Sequence, residues 1–315
     1  MIERDWDDER LRRHVEALPV WRGKPAIDDL IGGLCNRSFV VTDSNRKLVV
    51  RIGFDIPVHG IMQHSVSASL MAASDIGVTP KLVYAEPFLN VIEFIDGRAL
   101  RPEDLRDPER AAELVETLKT LHHGSHALRG TATYFWPFQV VRTYAHLGLD
   151  RNSRLSSELP EVMRIATVLE AQVAPFTPVL THNDVVPQNV MLDRSNRIWL
   201  IDWDYGGYGH PLFDIAGITA NADVPEAVEA EVMRAHFGPV TDQERRQFMI
   251  FKLIINLREY MWGMVQEIES RLTGDVVKAA MMQLYPDQKE GYEGYTDLNR
   301  QRFETLWRDH RREFE

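Results

Sequence analysis

From Thr181 to Ala216 the chain reads THNDVVPQNVMLDRSNRIWLIDWDYGGYGHPLFDIA. Two short runs rich in β-formers, Val190–Leu192 and Ile198–Ile201, flank a polar turn at Asp193–Asn196, the pattern of a β-hairpin. Almost everything else after Gly97 has helical periodicity, so this strand pair sits inside a helical half of the chain. Few folds place one hairpin there, and fewer put acidic and amide side chains at both of its ends, as Asp184, Asn189 and Asp202 are here.

The first hundred residues have the opposite character. Ser38–Thr42, Leu48–Gly53, Lys81–Ala85 and Val91–Ile95 read as strands, with Asp43–Arg46 a turn between the first two. One helix is expected at about 63–74, ended by Gly77 and Pro80. Beyond Gly97, Asp107 and Pro108 begin a helix whose apolar stripe is Leu114, Val115, Leu118 and Leu121. Further helices are expected at about 160–174, 225–237, 241–272 and 296–312, the third opening on a Thr241–Glu244 capping box. The expected fold is therefore α+β with two lobes. A small β-rich N-terminal lobe spans residues 1–96, and a larger, mainly helical lobe spans 97–315.

The chemistry follows from the ends of the hairpin. Phosphoryl transfer from ATP needs an oriented acceptor hydroxyl, metal ions bridging phosphate oxygens, and cations facing the developing charge. Asp184, on the loop before the hairpin, can accept a hydroxyl proton. Asn189 and Asp202 bring hard oxygen donors of the kind Mg²⁺ takes. His182-x-Asp184, Asn189 five residues on, and Asp202 closely match the H-x-D-x-x-x-x-N loop and metal-binding aspartate of kinases. Ile201-Asp-Trp-Asp-Tyr205 stands where protein kinases carry D-F-G. In this it resembles the choline and ethanolamine kinases within the aminoglycoside phosphotransferase superfamily, whose fold is protein-kinase-like. The resemblance runs from about Gly32 to Trp307. It implies His182 and Asp184 in the catalytic loop, with His182 and Asp214 bracing it by hydrogen bonds. It also implies Asn189 and Asp202 on metal, and ATP with Mg²⁺ as cofactors.

On the nucleotide side, Gly32, Gly33 and Asn36 resemble the family's loop over the phosphates, where glycine lets backbone N–H groups approach closely. Arg51 stands where kinases place a strand lysine against the phosphates, and choline kinases likewise carry arginine there. The helix that usually supplies its glutamate partner has none, since residues 56–74 contain no Asp or Glu. Val91–Gly97 resembles the hinge between lobes, with Glu93 and Ile95 offering backbone contacts to adenine.

For the acceptor, the resemblance points to aromatic rings around a cation, an arrangement worth about 0.5–2 kcal/mol. Tyr205, Tyr208 and Trp262 are the candidate rings, and Asp204 and Glu259 the candidate carboxylates. Choline or ethanolamine leads. An aminoglycoside, a sugar, a thiamine-like alcohol, or a pseudokinase acting as a binding module stay open. The net charge of −11 speaks against a nucleic-acid partner, which needs clustered cations. A single cysteine, Cys35, excludes an internal disulfide and makes a reducing, cytoplasmic setting the expectation. No signal peptide or membrane helix is expected from the charged start or from any apolar run.

Overall fold

The protein is described here from a computed structural model, covering residues 2–30, 36–270 and 291–315. Gly32 and Gly33, expected over the nucleotide phosphates, lie outside the described residues.

A five-stranded antiparallel sheet forms the N-terminal part, in the order β1-β2-β3-β5-β4. Its strands are β1 (Ala26–Asp29), β2 (Arg37–Asp43), β3 (Arg46–Ile52), β4 (Leu82–Glu86) and β5 (Leu89–Glu93). The period-two rule sorts side chains to its two faces. Phe39, Val41, Leu48, Val50 and Ile52 point one way and close a small core with Leu11 and Val15 of helix α1 (Asp8–Glu16). Arg51, one residue out of phase, takes the opposite face. Helix α2 (Gln63–Ile76) stops at Gly77, whose φ of 86° ends it in the left-handed region.

Strand β6 (Gly97–Ala99) leads out of the sheet and pairs with β8 (Val190–Asp193), which forms the embedded hairpin with β9 (Ile198–Leu200), so the connection between the two halves is stitched to the segment that carries Asp184, Asn189 and Asp202. A Cβ on Gly97 would lie 2.0 Å from the Leu192 carbonyl, which is why the crossing takes glycine. The helical half contains α3 (Pro108–His123), α4 (Pro137–Asp150), α5 (Leu159–Glu170), α6 (Pro211–Ala220), α7 (Glu226–Phe237), α8 (Asp242–Glu269) and α9 (Gly291–His310). A short antiparallel ladder joins β7 (Val179–Thr181) and β10 (Gly207–Gly209).

The α+β, two-part expectation holds, as do the four strands and one helix anticipated between Ser38 and Ile95, and the hairpin. Helices α1, α4 and α6 and the short strands β1, β6, β7 and β10 were not anticipated. The large core reaches back across residue 96, because Val66, Leu70, Ala72 and Ala73 of α2 pack into it rather than into the small one. Among the described residues no helix is long and apolar enough to cross a membrane.

Candidate active site

The loop after β7 is built around a buried carboxylate. Asp214, in the first turn of α6, accepts from the backbone N–H of His182 at 2.9 Å and of Asn183 at 2.7 Å, and its Oδ2 lies 2.9 Å from His122 Nε2. His182 is wholly buried, with Nε2 2.8 Å from the Ile201 carbonyl and its ring packed on Trp203. Burial holds its pKa below the usual histidine value. Asn183 adopts φ 63°, a left-handed conformation that Asn tolerates better than most residues, and its amide donates to the Tyr205 carbonyl at 2.9 Å. This turn projects Asp184 out of the loop.

Asp184 is held by both oxygens. Asn189 Nδ2 donates to Oδ2 at 2.8 Å, and Arg258 Nη1 reaches Oδ1 at 3.4 Å. Burial pushes its pKa up to about 7, with the Arg258 charge opposing and Glu259 and Asp202 reinforcing. The Asn189 amide nitrogen also donates to the Asp184 carbonyl, so its oxygen is the end left for another partner. Ile201 N–H bonds the Asn189 carbonyl at 2.9 Å, closing the hairpin and bringing the chain back to Asp202, which stands at φ 63°.

Arg51 answers the missing-glutamate question. Its Nη2 lies 2.6 Å from Asp202 Oδ1 and 2.9 Å from Asp204 Oδ1. Asn36 Nδ2 donates to the other Asp204 oxygen at 2.8 Å. Two aspartates of the helical half therefore pair with the cation, and Asp204, expected on the acceptor side, is engaged by Arg51 of β3 and by Asn36 just before β2. Glu93 and Ile95 border a cavity of about 340 Å³ with Pro80, Asp96, Asp193 and Trp199. Asp184, Asn189 and Asp202 do not line it, so this volume lies apart from the cluster around Asp184.

On the helical side, Glu259 has both oxygens occupied, Oε1 by Arg258 and Oε2 by the Tyr295 hydroxyl at 2.7 Å. Trp262, half-buried, meets Tyr295 edge-on at 5.5 Å and Tyr292 at 6.1 Å between ring centroids, and stacks on His59 at 6.3 Å. Tyr205 is buried, with the Arg258 guanidinium 4.5 Å from its ring centroid. Tyr208 sits in β10 opposite Leu180, its backbone engaged by Thr133 and Phe135. Sequence reasoning did not single out Arg258. The available signal was an arginine within the apolar stripe Ile254, Met261 and Val265 of α8.

The profile of a phosphotransferase enzyme family matches residues 29–248, well over half of the chain. The chain belongs to this family. A phosphotransferase needs an ordered carboxylate beside oxygen donors and a phosphate-facing cation, and the groups around Asp184 have that character. The chain is 22% identical over 257 residues to "Protein LicA" of Haemophilus influenzae, covering 78% of this phosphotransferase and 75% of that protein. Its fold is similar to that of a choline/ethanolamine kinase family protein from Mesorhizobium loti (TM-score 0.72, 23% identity, 95% of this chain and 94% of the other). It is also similar to the choline kinase LicA of Streptococcus pneumoniae (TM-score 0.71, 19% identity, 96% and 97%). The phosphotransferase is thus a small-molecule kinase with the kinase-like α+β architecture.

Proposed function

We propose that this phosphotransferase moves the γ-phosphoryl group of ATP to the hydroxyl of a small cationic alcohol of the choline or ethanolamine type, with Asp184 as the base. The observation that carries the reading is the two-point hold on Asp184, by Asn189 on one oxygen and Arg258 on the other, at the edge of the hairpin that returns Asp202 to Arg51. A carboxylate fixed in this way can take the proton of an acceptor hydroxyl as the oxygen attacks in line. His182 supports the loop as a neutral ring. In this reading residues 1–96 serve the nucleotide, with Arg51 and Asn36 assigned to its phosphates and the backbone at Glu93 and Ile95 to adenine; Gly32 and Gly33 are assigned to the phosphates on the sequence alone.

The donor set fits Mg²⁺. Asn189 and Asp202 present oxygens only, and among the described residues no group of three or more His, Cys, Asp or Glu is arranged to cage a metal. Mg²⁺ takes few protein ligands and keeps substrate phosphates and water around it. Bound there with the nucleotide, it supplies charge neutralisation at the phosphate oxygens.

The names of the relatives and the rings at Trp262 support the acceptor class. With both Glu259 oxygens engaged, recognition of a cation falls to ring faces, Trp262 first, which favours one charge over many.

The test is Mg²⁺-dependent ADP release with choline, ethanolamine, aminoglycosides and simple sugars, with Asp184→Asn as the blank. Turnover with choline or ethanolamine alone supports the reading. Turnover only with another acceptor retains the kinase and discards the cationic alcohol. ATP binding without turnover on any acceptor favours a binding module.

A further inference from the structure

Arg258 lies mid-way along α8 and is 3% exposed. Its Nη1 is shared between Asp184 Oδ1 at 3.4 Å and Glu259 Oε1, and its guanidinium lies against the Tyr205 ring. Tyr205 in turn accepts the Asn183 amide on its carbonyl. One cation therefore touches the catalytic loop, the segment after Asp202 and, through Glu259 and the Tyr295 hydroxyl, helix α9.

Packing alone does not account for it. The Nε and Nη2 edge of Arg258 is buried with no hydrogen-bond partner among the described residues. Elsewhere in this chain the same edge grips carboxylates, in Arg154 with Glu267 at 2.9 and 3.0 Å and in Arg164 with Glu161 at 2.7 Å twice. A bare buried edge costs free energy, and an apolar side chain of similar volume would fill the place at lower cost. What an apolar residue could not render is the charge partner of Glu259 and the hold on Asp184. The space beneath that carboxylate, lined by Asn183, Asp184, Phe213, Arg258 and Glu259 among others, is about 10 Å³, room for a single water at most.

We propose that Arg258 is a positioning residue for phosphoryl transfer: with Asn189 it sets the plane of the Asp184 carboxylate, and through Glu259 it ties that plane to Tyr295 on the acceptor wall. The inference rests on Asp184 being the base. Asn189 and Arg258 grip opposite oxygens, so loss of either grip frees rotation about the carboxylate. A misplaced reacting group costs up to about 10²-fold in rate.

Arg258→Lys keeps the charge but loses the planar fork that stacks on Tyr205 while reaching two carboxylates. Full-length enzyme carrying it is expected to lose kcat by about 10²-fold with the KM for ATP unchanged. In an Asp184→Asn background, measured in single turnovers, the same substitution is expected to cost nothing further, because it acts through the missing carboxylate. Tyr295→Phe, which removes only the hydroxyl on Glu259, serves if Arg258→Lys does not fold; it is expected to lower kcat in wild type and not in Asp184→Asn. A loss of the same size in both backgrounds overturns the inference and marks the residue as structural. A large loss on Asp184→Asn with none on Arg258→Lys or Tyr295→Phe also overturns it and leaves the phosphotransfer reading standing.

Discussion

Arg51 shows how a single position can be legible in kind and illegible in partnership. Its charge and its likeness to the strand lysine of kinases made it the expected phosphate-facing cation, and the structure puts it on the face of β3 away from the small core. Its partners, Asp202 and Asp204, lie more than 150 positions later, and no local pattern links them. Arg51→Met is expected to raise the KM for ATP about 10- to 100-fold, since a charge-assisted contact to phosphate is worth about 1.5–3 kcal/mol. Initial-rate kinetics at varied ATP would show it; an unchanged KM would remove Arg51 from the nucleotide site. Arg258 was harder still to find. A buried arginine in an apolar stripe reads as a packing irregularity until Asp184 and Glu259 are seen around it.

Helix α8 was anticipated from its capping box, and the structure contains it: Thr241 Oγ1 accepts from Glu244 N–H, and Glu244 accepts from Thr241 N–H. Thr241→Ala is expected to cost about 1 kcal/mol of stability, visible as a lower midpoint in urea unfolding. The opposite end of the helix matters for function, because α9 lies directly against it. A Cβ on Gly263 would come within 2.6 Å of Thr296 Oγ1 and 3.1 Å of Thr296 Cα. Gly263→Ala is therefore expected to push α9 outward, disturb Tyr292 and Tyr295 against Trp262, and destabilise by about 1–3 kcal/mol. The acceptor KM should rise more than that of ATP; equal effects on both would mean the α8–α9 contact does not shape the acceptor wall. Helices such as α6 escaped the sequence for a plain reason. Leu212 to Ala220 are all buried, so no apolar stripe alternates with a polar face for periodicity to detect.

The large core encloses ionisable groups whose cost appears only with acid. Burial lowers the pKa of His59 to about 4, with the Arg258 charge adding to the effect, and of His210 to about 3. His59 bonds the Tyr144 hydroxyl at 2.7 Å and Gln266 at 2.9 Å as a neutral ring. In the unfolded chain each titrates near 6.5, so the unfolded state takes up protons first as pH falls. Stability is complete above about pH 6.5 and declines toward pH 4, by up to about 2 kcal/mol per histidine at pH 5. Thermal melts at pH 7.5 and pH 5 should differ by several degrees, and His59→Gln should narrow the gap. A melting temperature flat across that range would show that these rings are not held neutral.

What was written in the linear chain was whatever depends on near neighbours. The β-rich beginning, the helical remainder, the hairpin at Val190–Leu200 and the spacing of Asp184, Asn189 and Asp202 all arise from local periodicity, turn chemistry and short loops. Which charges meet was settled by folding alone. Arg51 with Asp202 and Asp204, Glu259 with Arg258 and Tyr295, and α2 in the larger core are contacts between distant segments. They form because burial of apolar faces brings those segments together, and because a charge carried inward is tolerated only beside its opposite.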